Sequence, residues 1–147
     1  MTSQPASTAS FEQTIRVVPT DLDEQNHVNN LVYVRWVLDA ATAHWLSLTT
    51  PEIRAEVAWV LLRHEIDYLS PALLGDDVRV RTEVGHLKGL TFERNTTVRH
   101  AESGRELVAS RTLWCPIDPR TGRPRRVSAE LRALFSVAPA AADGSAR

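Results

Sequence analysis

Apolar positions along the chain follow two different periods, and the change between them predicts the elements. The segment "VRVRTEV" (78–84) alternates strictly, with Val78, Val80, Thr82 and Val84 set against Arg79, Arg81 and Glu83. A period of two marks a strand with one buried face. Its other face is either partly solvated or paired with another subunit. Runs rich in β-formers also occupy 11–18, 57–69, 90–100 and 105–118, punctuated by "SPALLGDD", "HLKG" and "AESG". Long strands with short turns predict an antiparallel meander. Residues 31–48, "LVYVRWVLDAATAHWLSL", behave differently: Arg35, Asp39 and Thr42 fall at i, i+4 and i+7 and form one narrow polar stripe. Around that stripe Trp36, Leu38, Ala40, Ala43 and Trp45 are apolar or small. Val32, Val34 and Val37 pull mildly toward strand, but length and the Ala-rich second half favour helix. A helix apolar over most of its circumference must be wrapped by other structure. Asn29 or Asn30 serves as its N-cap. "TTPE" at 49–52 reads as punctuation, and "SAELRALF" (128–135) as a serine-capped terminal helix. The fold class expected is α+β, an antiparallel sheet of five strands curled around one long central helix.

Length and composition narrow the setting. A chain of 147 residues suits one domain with a real core, here residues 11–135. Residues 1–10 and 136–147 are small, polar or Ala/Gly/Ser-rich and read as disordered ends. A net charge of −1 gives no electrostatic case for nucleic acid. Cys115 stands alone, so neither an internal disulfide nor a thiolate metal cluster can form. The N-terminus lacks the charged start and apolar run of a signal peptide, and no segment is long and apolar enough to span a membrane. These features fit a cytoplasmic protein. One basic cluster, Arg120, Arg123, Arg125 and Arg126, reads either as a solvated turn or as a phosphate contact.

The polar loop before the long helix asks for more. Between Asp23 and Asn30 only Val28 is apolar. Asp and Asn commonly cap helices and shape turns, but a helix start leaves only about four N–H groups to satisfy. Calcium is excluded by Asn26 where its loop needs glycine and Val32 where it needs a bidentate glutamate. Asp23 and His27 are too few for zinc, and no metal is expected. Covalent serine catalysis has no G-x-S-x-G motif to rest on. The remaining reading uses the helix start: its free N–H groups can stabilise the charge that a carbonyl oxygen gains on attack. A carboxylate a few residues upstream can serve as base or nucleophile toward that carbonyl. Acyl transfer to water suits this set of groups best.

"DLDEQNHVNNLVYVRW" resembles the motif of hotdog-fold thioesterases of the 4-hydroxybenzoyl-CoA superfamily, especially the acyl-ACP thioesterase branch, approximately D-x-D-x-N-x-H-V-N-N-x-x-Y. "HEIDYLSPALLGDDVRV" resembles that family's second strand and its Y-x-x-P…G-D turn, so the likeness spans roughly 11–135. The resemblance implies hydrolysis of an acyl-CoA or acyl-carrier-protein thioester without a cofactor. It implies Asp23 as nucleophile or general base, His27 as its companion, and the backbone N–H at Asn30, with Leu31 beside it, as the polarising donor. Tyr33 and Trp36 would line the acyl pocket. Gln25 stands where the branch has asparagine, and an acidic residue on the following strand would be Asp67 or, second, Glu65. Lys88, or Arg123, Arg125 and Arg126, would meet CoA phosphates. Subunits of this family join sheet edges with the site between them, so a homodimer or homotetramer is implied. The competing readings are an acyl-thioester binding protein without catalysis, which the presence of Asp23 disfavours, and a hydratase or dehydratase.

Overall fold

The computed structural model describes residues 8–135. Of the ends expected to be disordered, 1–7 and 136–147 lie outside the described residues, but Thr8 and Ala9 form a turn and Ser10 already opens the first strand, so that expectation does not hold for 8–10. β1 (Ser10–Arg16) leads through a single 3-10 turn (Pro19–Asp21) and the polar loop to α1 (Asn30–Leu48). There follow α2 (Pro51–Glu56), β2 (Ala58–Tyr68), β3 (Asp77–Lys88), β4 (Thr91–His100), β5 (Glu106–Ile117) and α3 (Ala129–Leu134). All strand pairs are antiparallel, in the order β1-β3-β4-β5-β2. The sheet curves around α1, which is the hotdog arrangement.

Three local expectations change. The strands are not a simple meander: β2 pairs with β5, and residues 69–76 cross to β3 instead of turning back in a hairpin. "TTPE" is not mere punctuation. Thr50 caps α2 by accepting the Ile53 N–H at 3.3 Å, and Pro51 fills the first helical position, where its missing donor costs nothing. "HLKG" is mostly strand, because β3 absorbs an irregularity between Val84 and Leu87 and turns only at Gly89. Gly85 sits in that irregularity, where a Cβ would collide with the Glu93 carboxylate unless that side chain moved.

The core is divided along α1. Its first half packs Val32, Tyr33, Trp36 and Ala40 against Val78, Val80, Val98 and Val108. Its second half packs Trp45 with Leu87, Phe92, Leu131 and Phe135. Between these clusters the concave face carries a polar band, Thr82, Arg94, Thr96, Ser110 and Thr112, met by His44 from α1. Buried polar groups persist when they bond one another. Here Arg94 Nη1 donates to His44 Nδ1 (3.0 Å) and Thr82 Oγ1 (3.1 Å), and Thr96 Oγ1 donates to Thr82 Oγ1 (3.1 Å). The stripe of Arg35, Asp39 and Thr42 faces solvent, as its spacing predicts.

Candidate active site

The polar loop is closed by its own backbone. Leu22 and Val28 form an isolated antiparallel bridge. Inside it the Asp23 C=O accepts the Asn26 N–H at 3.1 Å. Asp23 Oδ1 accepts the N–H of Gln25 at 2.8 Å and of His27 at 3.2 Å. Asn26 adopts φ +62°, a left-handed conformation that asparagine takes more readily than most residues. Asp21, buried upstream, holds the approach. Its Oδ2 accepts the Val18 N–H at 3.0 Å, its C=O accepts the Asn29 N–H at 2.8 Å, and Oδ1 lies 3.5 Å from Arg35 Nη2.

Asn29 is the N-cap of α1, its Oδ1 accepting the Leu31 N–H at 2.9 Å, while its C=O accepts from Val32. The N–H of Asn30 makes no hydrogen bond among the described residues, and neither does Asp23 Oδ2. A helix start thus presents an unused donor a few residues from an unused carboxylate oxygen.

The crossing segment after β2 backs the loop. Val28 N–H donates to Ala72 C=O (3.1 Å), His27 bridges Leu73, and the buried Ala72 N–H donates to Tyr33 Oη at 2.8 Å. Tyr68 Oη donates to the Asn30 C=O at 3.3 Å. Burial raises the Tyr33 phenol above its ordinary pKa, the Ala72 N–H opposes this, and the carboxylates of Asp76 and Asp23 add to it. The phenol therefore stays protonated at neutral pH.

Around these groups opens a cavity of about 490 Å3. Asp23, Gln25, His27, Asn30 and Tyr33 border it together, joined by Tyr68 from the Y-x-x-P stretch, to which the motif alone assigns no role. The other candidates stand elsewhere. Leu31, 75% exposed, does not border the cavity, and Trp36 is buried in the core, edge-on to Tyr33 at 5.3 Å. Ile66 packs into the core, so the neighbouring Glu65 and Asp67 project from the opposite face of β2. Glu65 is engaged there by Arg63 at 2.7 Å and Arg111 at 3.3 Å. Neither acid joins Asp23 within the chain, because side chains alternate across a strand. The basic candidates divide. Arg126 Nη1 would stand 3.8 Å from a Cβ on Gly89, beside Lys88, whereas Arg125 Nη1 donates to the Glu56 C=O at 2.6 Å and Arg123 is exposed.

A carboxylate, an imidazole and an unpaired helix-start N–H around one open cavity can activate water against an acyl carbonyl. Residues 17–135 match the thioesterase-like superfamily. No curated protein matches the sequence. Among solved structures the chain is similar to Slr0204, a 1,4-dihydroxy-2-naphthoyl-CoA thioesterase from Synechocystis, at 18% identity over 86% of this chain and 96% of that one, with a TM-score of 0.76. A thioesterase complexed with coenzyme A and Zn from Thermus thermophilus shares 24% identity over 84% and 95% of the two chains, TM-score 0.73. The 12:0-ACP thioesterase from Umbellularia californica shares 20% over 87% of this chain but 50% of its own length, TM-score 0.75. The structural likenesses carry the fold and the family match carries the class: the chain belongs to the thioesterase-like superfamily and is a thioester hydrolase with the hotdog fold.

Proposed function

We propose that the chain hydrolyses acyl-CoA thioesters in the Asp23 cavity. The observation that carries this reading is that the unused Asp23 Oδ2 and the unpaired Asn30 N–H belong to residues bordering the same opening. The Asp23 carboxylate takes a proton from water as that water attacks the thioester carbonyl. The oxyanion formed receives the Asn30 N–H at the positive end of α1, where one such donor is worth roughly a hundred- to a thousandfold in rate. The intermediate collapses, its C–S bond breaks, and the departing thiolate recovers the proton from Asp23. His27, its backbone fixed to Asp23, orients the reacting groups.

The working unit is a homodimer joined along β2. β2 is an edge strand of the sheet, and it exposes Val60, Leu62 and Tyr68 along its 11 residues. A long unpaired edge, part apolar and part charged through Arg63, Glu65 and Asp67, is an invitation to pair, and a two-fold axis through β2 makes the contact self-complementary. Coenzyme A bound in the Thermus relative supports CoA as the carrier. Lys88, at the end of β3, and Arg126, whose guanidinium reaches from the segment after β5 to the neighbouring Gly89, are the basic pair suited to its phosphates.

The test is thiol release by the purified protein across short, long and aromatic acyl-CoAs, with oligomeric mass measured in parallel. Turnover on some members of the panel is expected. Binding of acyl-CoAs without thiol release would replace hydrolysis by a binding role.

A further inference from the structure

A second cavity, of about 320 Å3, lies at the other end of α1. Trp45, Trp59, Phe92 and Trp114 supply aromatic wall, and Arg94 and Arg54 are its charged lining residues, with no carboxylate among them. Arg54 Nη1 is engaged by the Thr49 C=O at 2.8 Å and Oγ1 at 3.0 Å. Arg94 differs. It is 4% exposed and forms no ion pair among the described residues. Among the described residues only its Nη1 makes hydrogen bonds, to His44 and Thr82. Among the described residues the one fully enclosed side-chain polar atom lacking a partner is Arg132 Nη1. Arg94 Nε and Nη2 are therefore not fully enclosed by protein, and Arg94 is one of the residues that line the cavity.

The neighbours do not neutralise this charge. His44 Nε2 lies 2.7 Å from the Thr8 C=O, which can only accept, so that nitrogen carries the proton and Nδ1 accepts from Arg94. Burial, and then the Arg94 charge, push the His44 pKa down to about 4, while burial lowers Arg94 only to about 10. The guanidinium stays charged beside a neutral imidazole. The rings of Phe92 and Phe135, 5.5 and 5.7 Å from its Cζ, offset part of the cost. Arg111, by contrast, engages the carboxylates of Glu93 and Glu65. A deep cation without a counter-charge is costly, and an anion entering the cavity beside it would offset that cost.

We propose that this cavity holds the acyl part of the substrate and that Arg94 binds a carboxylate at its far end, so that the enzyme prefers ω-carboxyacyl thioesters. The inference rests on the dimeric hydrolase described above. Asn30 and Trp45 are about 22 Å apart along α1, at 1.5 Å per residue. The cavity has room for roughly ten non-hydrogen atoms, at about 30 Å3 each, which is too short a group to reach the same chain's Asp23. Antiparallel pairing of β2 about its centre sets Ala58 and Trp59 of one chain against the Tyr68 and Leu69 end of the other. Ala58 and Trp59 line the aromatic cavity, and Tyr68 and Leu69 line the Asp23 cavity. Each aromatic cavity thereby serves the Asp23 site across the dimer.

The experiment compares kcat/KM for ω-carboxyacyl-CoAs with that for alkyl acyl-CoAs of equal chain length. A preference of at least about tenfold is expected. Arg94→Met should reduce the ratio of the two constants roughly ten- to hundredfold, the range of a hydrogen bond to a charged group. Because Arg94→Met can also disturb folding, the wild-type protein is titrated with octanoate and with octanol, reading tryptophan fluorescence from the cavity wall. Saturable quenching by octanoate and not by octanol is expected. An enzyme that hydrolyses acyl-CoAs with no ω-carboxyl preference overturns the inference and leaves the hydrolase standing, as does equal quenching by both probes. Octanoate-selective quenching in a protein that hydrolyses no acyl-CoA supports the anion site and overturns the acyl-CoA reading instead.

Discussion

Asp23 and His27 hold each other twice. The N–H of Asp23 donates to the His27 C=O at 2.8 Å, and the N–H of His27 donates to Asp23 Oδ1 at 3.2 Å. The imidazole is thus carried on the same closed loop as the carboxylate. One carboxylate oxygen shapes the loop and the other remains for chemistry, so structural and chemical roles coexist in a single side chain.

Asp23→Asn preserves the shaping oxygen and removes the charge. Its Tm should change little while kcat falls roughly a hundred- to ten-thousandfold, the usual contribution of a general base. Steady-state kinetics beside a thermal melt checks both. A folded variant with the wild-type rate would remove Asp23 from the mechanism. Single-turnover hydrolysis in 18O-water should leave the Asp23 side chain unlabelled; label there would make it the nucleophile.

Tyr33→Phe should be costly despite its small change in size. It deletes the acceptor of the buried Ala72 N–H, behind the loop that carries His27. An unsatisfied buried donor costs about 1–3 kcal/mol, readable in urea unfolding. Activity should fall too, since Ala72 also accepts from Val28.

Gly85→Ala should destabilise by about 1–3 kcal/mol, the usual range for overpacking. The added methyl meets the carboxylate of Glu93, which bonds Arg111 and accepts the His86 N–H at 3.2 Å. Burial by itself raises the Glu93 pKa, but these partners bring it below the ordinary value. Substrate KM should be unaffected in the folded fraction.

His44 makes stability depend on pH in a defined direction. Its pKa is lowered from 6.5 to about 4 in the fold, chiefly by burial. Between those values the unfolded chain binds more protons than the folded one, so stability rises with pH across that window. The contribution is complete above pH 6.5 and is lost as pH falls toward 4. Nitrogen-15 NMR of the imidazole should show a neutral ring protonated at Nε2 down to about pH 4, and Tm should decline over the same range.

Lys88→Ala combined with Arg126→Ala should raise KM for acyl-CoA severalfold at low salt and leave kcat unchanged. The effect should shrink as ionic strength screens the pair. Acyl-pantetheine, lacking the nucleotide, should show no change in KM. Equal loss on both substrates would remove the pair from CoA binding.

The sequence by itself determined the elements whose residues interact locally. Strict alternation at 78–84 and the stripe of Arg35, Asp39 and Thr42 each record one buried face, so β3 and the wrapped helix α1 were legible. The crowding of polar groups from Asp23 to Asn30 exposed the loop, because those groups bond one another within a few residues. Tertiary structure alone decided the rest. The place of β2 beside β5 depends on pairs some 40 to 60 residues apart. The direction of Asp67 and Glu65 followed from that register, and a shift of one residue would have reversed it. Arg94 reads in sequence as one more charge on an alternating strand. Its meaning arises only where β4, α1 and β5 converge, burying a guanidinium beside a neutral histidine and an apolar cavity, since desolvation is a property of the assembled interior and not of any segment.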